Sequence, residues 1–96
     1  MSDFLIVERN VTLGIANGLH LVPCSKIAQL LRDYAGLARI RHEAYDADAK
    51  SIFDMVRLQA LRGRELIIRV EGPDAETIVQ QIQQILETES FEKAQA

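Results

Sequence analysis

The sequence predicts an α+β fold, one four-stranded sheet with three helices packed against a single face. Three observations lead there. Ninety-six residues fit one domain with one core. The apolar spacing switches between period two and period 3.6 in the order strand, helix, strand, strand, helix, strand, helix. The helices carry their apolar residues on one stripe, so layering them on one side of the sheet buries every stripe at once.

The first strand spans Phe4 to Leu13, rich in β-branched and apolar residues, with a polar break at Glu8-Arg9-Asn10. Asn17-Gly18 then punctuates the chain. Pro23 is tolerated in the first turn of a helix, and Cys24, Ile27, Leu30, Leu31 and Tyr34 recur behind it at helical spacing. A helix from Leu21 to about Tyr34 follows, ended by Gly36. Ala38, Ile40 and His42 alternate with Arg39, Arg41 and Glu43 as in a half-buried strand, and Tyr45 to Asp48 returns antiparallel to it. Ser51 has the chemistry of an N-cap, able to accept from the N–H of Asp54 or its neighbour, for a short helix from Ile52 to Leu58. Gly63 breaks the chain again. Leu66, Ile68 and Val70 make the clearest strand, and Ile78, Val79, Ile82, Ile85 and Leu86 make an amphipathic final helix. Arg39, Arg41 and Arg69 are expected on the solvent face of the sheet. The domain is expected to fill residues 1–88, with 89–96 a fraying tail.

Eleven Lys plus Arg against fourteen Asp plus Glu give a net charge of −3, which argues against nonspecific nucleic-acid binding. Arg57, Arg62, Arg64 and Arg69 still leave room for a local basic patch. No apolar run approaches the length of a membrane span. One cysteine, Cys24, excludes an internal disulfide, and Met1-Ser2-Asp3-Phe4 lacks the basic and apolar regions of a secretory signal. A cytoplasmic monomer is the expectation.

The chemistry concentrates in Asn17-Gly18-Leu19-His20-Leu21-Val22-Pro23, where a turn feeds into the first helix. A group placed there meets unpaired backbone N–H donors and the positive end of the helix dipole. Imidazole titrates near neutral pH, so a neutral ring nitrogen is available as a nucleophile. Turn, histidine and helix start together point to a phosphohistidine site. Pro23 has no N–H, so Leu21, Val22 and Cys24 are the amides expected to hold the phosphate. Cys24 also stands one turn beyond His20, which raises thiol chemistry as another option, since a helix N-terminus lowers a thiol pKa. His20 and Cys24 make too poor a set for zinc, and neither metal nor cofactor is expected.

These residues carry a resemblance. From about Val11 to Leu86 the chain resembles HPr, the histidine-containing phosphocarrier of the phosphoenolpyruvate-dependent sugar phosphotransferase system. The pieces that carry it are Asn17-Gly18-Leu19-His20 with Pro23, then Ala49-Lys50-Ser51-Ile52-Phe53, then the segment around Glu71-Gly72, and the spacing between the first two needs no gap. The resemblance implies an open-faced β-sandwich, an antiparallel four-stranded sheet covered on one side by three helices. It implies that His20 accepts a phosphoryl group on Nδ1 from enzyme I and passes it to a IIA-type acceptor domain. It implies a regulatory role for Ser51 as the target of a serine kinase and phosphorylase, although serine is also the ordinary residue for a cap. Leu21, Val22, Ile52, Phe53 and Val56 would dock the partners.

One departure is specific. The family motif reads Gly-Leu-His-x-Arg-Pro, and Val22 stands where the arginine belongs. A charge-assisted hydrogen bond contributes roughly 1.5–3 kcal/mol, so losing one costs about ten- to a hundredfold in transfer or docking. Arg57 is the best-placed replacement for that charge. A chain altered in this way has an alternative reading, an HPr-like module that regulates a partner without phosphoryl transfer.

Overall fold

The computed structural model describes residues 5–89. Along the chain it places β1 (Leu5–Thr12), α1 (Leu21–Leu30), β2 (Leu37–His42), β3 (Tyr45–Asp48), α2 (Ile52–Val56), β4 (Glu65–Gly72) and α3 (Ala75–Glu87). The strands form one antiparallel sheet in the order β1-β4-β2-β3. The expected α+β architecture is therefore the observed one. Phe4, the expected start of the first strand, lies outside the described residues.

The sheet is built on side-chain alternation. Leu66, Ile68 and Val70 of β4 are fully buried, and the register sets Ile68 opposite Ile40 of β2 and Val70 opposite Val7 of β1. From above, Ala75, Val79, Ile82 and Leu86 of α3 close on this face at spacings of four, three and four residues, the stripe of an amphipathic helix. Pro23, Cys24 and Ile27 do the same for α1, and Met55 for α2. The polar break in β1 has a physical reason. Arg9 shares the inner face with Val7 and Val11, and its guanidinium reaches Glu76 and Gln83 on α3 at the edge of the core.

The outer face is charged, as expected; Arg39 and Arg69 are ion-paired, and Arg41 donates to the Glu43 backbone carbonyl at 3.2 Å. Arg69 donates to Glu8 at 2.7 Å and to Glu71 at 2.8 Å, and Arg39 donates to Asp46 at 2.7 Å. Arg39 and Arg69 stand directly opposite in the register, a like-charge juxtaposition that their separate carboxylates relieve.

Several boundaries differ from expectation, and the first strand stops at Thr12 where Leu13 was expected. The first helix ends at Leu30, because beyond Leu31 the N–H groups reach back three residues instead of four, Arg32 to the Gln29 carbonyl and Tyr34 to the Leu31 carbonyl, and the chain turns. That turn lets the Tyr34 hydroxyl donate to the Pro73 carbonyl at 2.6 Å and brings Gly36 so close to β4 that a Cβ there would meet the Glu71 carbonyl at 2.2 Å. The second helix ends at Val56, and Leu58 lies in a tightened turn whose N–H reaches the Met55 carbonyl. At the other end, the Glu89 carbonyl accepts from the Ala16 N–H at 2.8 Å, so the chain is held through residue 89 and only 90–96 of the expected tail lie outside the described residues.

Candidate functional site

Two hydrogen bonds fix the turn that carries His20. Gly18 donates to the Ile15 carbonyl and Leu19 to the Ala60 carbonyl, both at 2.9 Å. Gly18 has a φ of +78°, and a Cβ would meet the Ala60 oxygen at 2.7 Å, so only glycine fits both the conformation and the space. Leu19 is buried as a plug, and the next residue is delivered to the surface at the mouth of α1.

His20 is the N-cap of α1, with extended backbone, φ −118° and ψ −171°. Stability alone favours Ser, Thr, Asp or Asn at such a position. Here the ring takes over the capping role, its Nδ1 accepting from the Val22 N–H at 3.4 Å. An atom that faces an N–H donor carries its lone pair toward it, so the ring's proton is on Nε2 and the free lone pair is on Nδ1.

Of the three amides expected to hold a phosphate, Cys24 is a correction. Its N–H donates to the His20 carbonyl at 3.2 Å, the first bond inside the helix, because Leu21, Val22 and Pro23 fill the first turn and residue 24 is the first to reach back four positions. Leu21 and Val22 are the amides left to face an anion. The Cys24 thiol is fully buried, and burial pushes its pKa up to about 12, against the lowering expected from the helix terminus. A neutral, enclosed thiol does not fit the thiol-chemistry option.

The expected docking residues separate into two groups. Leu21 is 55% exposed, Val22 46% and Phe53 76%, enough apolar surface to present to a partner. Ile52 and Val56 are half-buried and pack against the core. α1 and α2 lie side by side, so both groups belong to one end of the molecule. A shallow groove of about 330 Å³ runs along α1, lined by Leu21, Val22, Ser25, Lys26 and Gln29. Leu61 was missed in the sequence. It is 63% exposed and its Cα lies 3.5 Å from where a Gly18 Cβ would be, beside the His20 turn. Its signal was an apolar residue in a loop whose neighbours, Arg62 and Gly63, are those of a surface turn.

Arg57 does not take the place of the missing arginine in this arrangement. It donates to Asp54 at 2.7 Å, and among the described residues no hydrogen bond or ion pair joins it to His20. Asp54 is held in turn, accepting from the Asp48 N–H at 2.7 Å. Ser51 is the N-cap expected of it, its hydroxyl accepting from the Asp54 N–H at 3.3 Å. His42, alternating inward as expected, is buried and its Nδ1 bonds the Leu58 carbonyl at 3.0 Å. Among the described residues no cluster of His, Cys, Asp and Glu could hold a metal, and no helix is long and apolar enough to cross a membrane.

A helix-capping imidazole at the surface of an antiparallel sheet with three helices on one side is the arrangement of a small carrier that holds a group on histidine. A family model described as the PTS HPr component phosphorylation site matches residues 7–88, and the chain belongs to that family, the HPr phosphocarriers of the phosphotransferase system. The phosphocarrier protein HPr of Borreliella burgdorferi is 25% identical over 83 residues, covering 86% of this chain and 96% of the relative. The phosphoryl donor subunit DhaM of the PEP-dependent dihydroxyacetone kinase of Providencia stuartii is 32% identical over 69 residues, 72% of this chain but 14% of that longer protein. The crystal structure of the phosphocarrier protein HPr from Bacillus anthracis superposes with a TM-score of 0.78 at 25% identity, covering 84% of this chain and 96% of that one.

Proposed function

We propose that His20 is the phosphoryl acceptor, attacking through Nδ1 a phosphoryl group carried by enzyme I and passing it to a IIA-type acceptor domain, in the cytoplasm. The observation that carries this is the Val22 N–H directed at Nδ1, which leaves the lone pair on that nitrogen and a backbone donor beside it. In the forward step the Nδ1–P bond forms as the bond to the donor breaks, and the proton already on Nε2 becomes that of a singly protonated, cationic ring. The Leu21 and Val22 amides and the dipole of α1 then face the new negative charge. Return of the group to a partner's nucleophile reverses these changes.

Leu21, Val22 and Phe53 supply the exposed apolar surface for docking, with Leu61 on the other side of the turn. The observed work of Ser51 is capping, worth about 1 kcal/mol to α2. Phosphate on it would stand beside the Asp54 carboxylate and repel it, so a kinase acting there would loosen α2 and alter docking. Val22 leaves the phosphate to backbone amides, which lowers the expected rate without removing the nucleophile.

Incubation with phosphoenolpyruvate and enzyme I is expected to give one acid-labile phosphoryl group per chain, absent in His20→Ala. A protein that acquires no such group from a competent enzyme I, or acquires it equally in His20→Ala, contradicts the proposal.

A further inference from the structure

On the side of the molecule where the β2–β3 turn meets the exit of α2 there is a cleft of about 420 Å³, within the range of small-molecule sites. Its walls are His42, Glu43 and Tyr45 from the hairpin, and Arg57, Leu58 and Gln59 from the chain leaving α2. Five of these six residues carry polar side chains. The transfer chemistry of His20 uses none of them.

His42 is nine-tenths buried. Its Nδ1 faces the Leu58 carbonyl, which can only accept, so the ring's proton is there and the neutral ring presents a lone pair at Nε2. That nitrogen has no hydrogen-bond partner, and leaving a buried polar atom unmade is costly. Nε2 itself has less than 1 Å² of exposed surface, so His42 forms part of the cleft wall without offering that nitrogen to an occupant. The walls are also conformationally unusual. Three non-glycine residues among those described have positive φ, and two of them are here, Glu43 at +57° and Gln59 at +52°, one on each wall. Both stand where the chain reverses, Glu43 in the hairpin turn and Gln59 after the turn that leaves α2, and this backbone sets the shape of the walls.

The charges around the cleft have opposite signs. Arg57 brings a guanidinium, only one arm of which is engaged by Asp54. Glu43 brings a carboxylate that has no hydrogen-bond or ion-pair partner among the described residues, its backbone carbonyl alone accepting from Arg41 at 3.2 Å. An anion by itself would be repelled by Glu43 and a cation by itself by Arg57. We infer that this cleft is a binding site for a small zwitterion of the amino-acid class, its carboxylate on Arg57 and its ammonium donating to Glu43.

The site has a physical connection to the carrier histidine. Leu58 holds His42 through its carbonyl, and two residues on, the Ala60 carbonyl holds the Leu19 N–H beside His20. A ligand that shifts the 58–60 segment therefore shifts the anchor of the His20 turn. Only the consequence for transfer rests on the function proposed above; binding itself does not.

The test is a titration of the ¹⁵N-labelled protein with L-alanine and L-glutamine, followed by amide shifts, with acetate and methylammonium as probes of each charge alone. Saturable shifts at residues 42–45 and 57–59 with an amino acid, weakened at least tenfold in Arg57→Gln and in Glu43→Gln, are expected, together with movement of the Leu19 and His20 amides. No saturable shift with either amino acid overturns the site. Equal saturation by acetate overturns the zwitterion, and shifts that stop at the cleft and leave residues 18–20 unmoved overturn the connection. The two substitutions are at exposed side chains, and the unchanged spectrum of each variant away from the cleft verifies that it folds.

Discussion

The two histidines of this chain make opposite use of the same ring. His20 caps a helix at the surface, and its Nδ1 faces an N–H; His42 ends a strand in the core, and its Nδ1 faces a carbonyl. A donor in front of Nδ1 sends the proton to Nε2, whereas an acceptor keeps it on Nδ1. The neighbours therefore impose opposite tautomers, and only His20 keeps its lone pair on Nδ1. The tautomer at these positions is decided by the backbone group placed 3.0 to 3.4 Å away, not by the residue type.

Stability separates the two most strongly. Removing the His42 ring in His42→Ala orphans the buried Leu58 carbonyl and opens a void, which is expected to cost about 2 kcal/mol or more in chemical denaturation. His20→Ala removes one long capping contact and is expected to cost less than about 1 kcal/mol. Equal losses would mean that His20 is held for structure.

A charge restored beside the surface histidine comes next in size. Val22→Arg is expected to raise the rate of phosphoryl transfer from enzyme I about ten- to a hundredfold, the value of one charge-assisted hydrogen bond, measured in a single-turnover transfer assay. An unchanged rate would show that backbone amides already supply all the stabilisation that the site uses.

The last effect shows only at alkaline pH and concerns Cys24, one turn behind His20 but inside the core. Its folded pKa of about 12 lies above the ordinary 9.0, so the folded state keeps a proton that the unfolded chain loses. The sign follows: this stabilisation of the fold is undiminished below about pH 9 and is lost as pH rises toward 12, at about 1 kcal/mol per pH unit. Denaturation midpoints at pH 8.5, 9.5 and 10.5 are expected to fall more steeply for the unmutated protein than for Cys24→Ala. Alkylation of the thiol at neutral pH is expected to be slow in the folded protein.

Much of this was legible along the chain. The inward alternation of Ala38, Ile40 and His42, the cap at Ser51 and the histidine at a helix mouth are local patterns, and each formed where local chemistry put it. What was not legible depends on contacts between distant segments. The early end of α1 goes with a contact no local pattern shows, the Tyr34 hydroxyl on the Pro73 carbonyl 39 residues away. Arg57, the C-cap of α2, stands three residues from Asp54, a spacing that favours their pairing over a reach to His20. The use of the Cys24 amide inside the helix was readable in principle, since the cap position fixes which residue is first to reach back four positions. The cleft at His42 required the hairpin turn and the exit of α2 to meet, which no local pattern records.

The central claim, that the nucleophile is Nδ1 of His20, is tested most directly by the site of attachment. In protein labelled with ¹⁵N in its histidines and phosphorylated through enzyme I, the phosphorus-to-nitrogen coupling is expected at Nδ1 of His20, with the His42 ring unmodified and still protonated on Nδ1. Coupling at Nε2 of His20, or phosphate on any other residue, would contradict it.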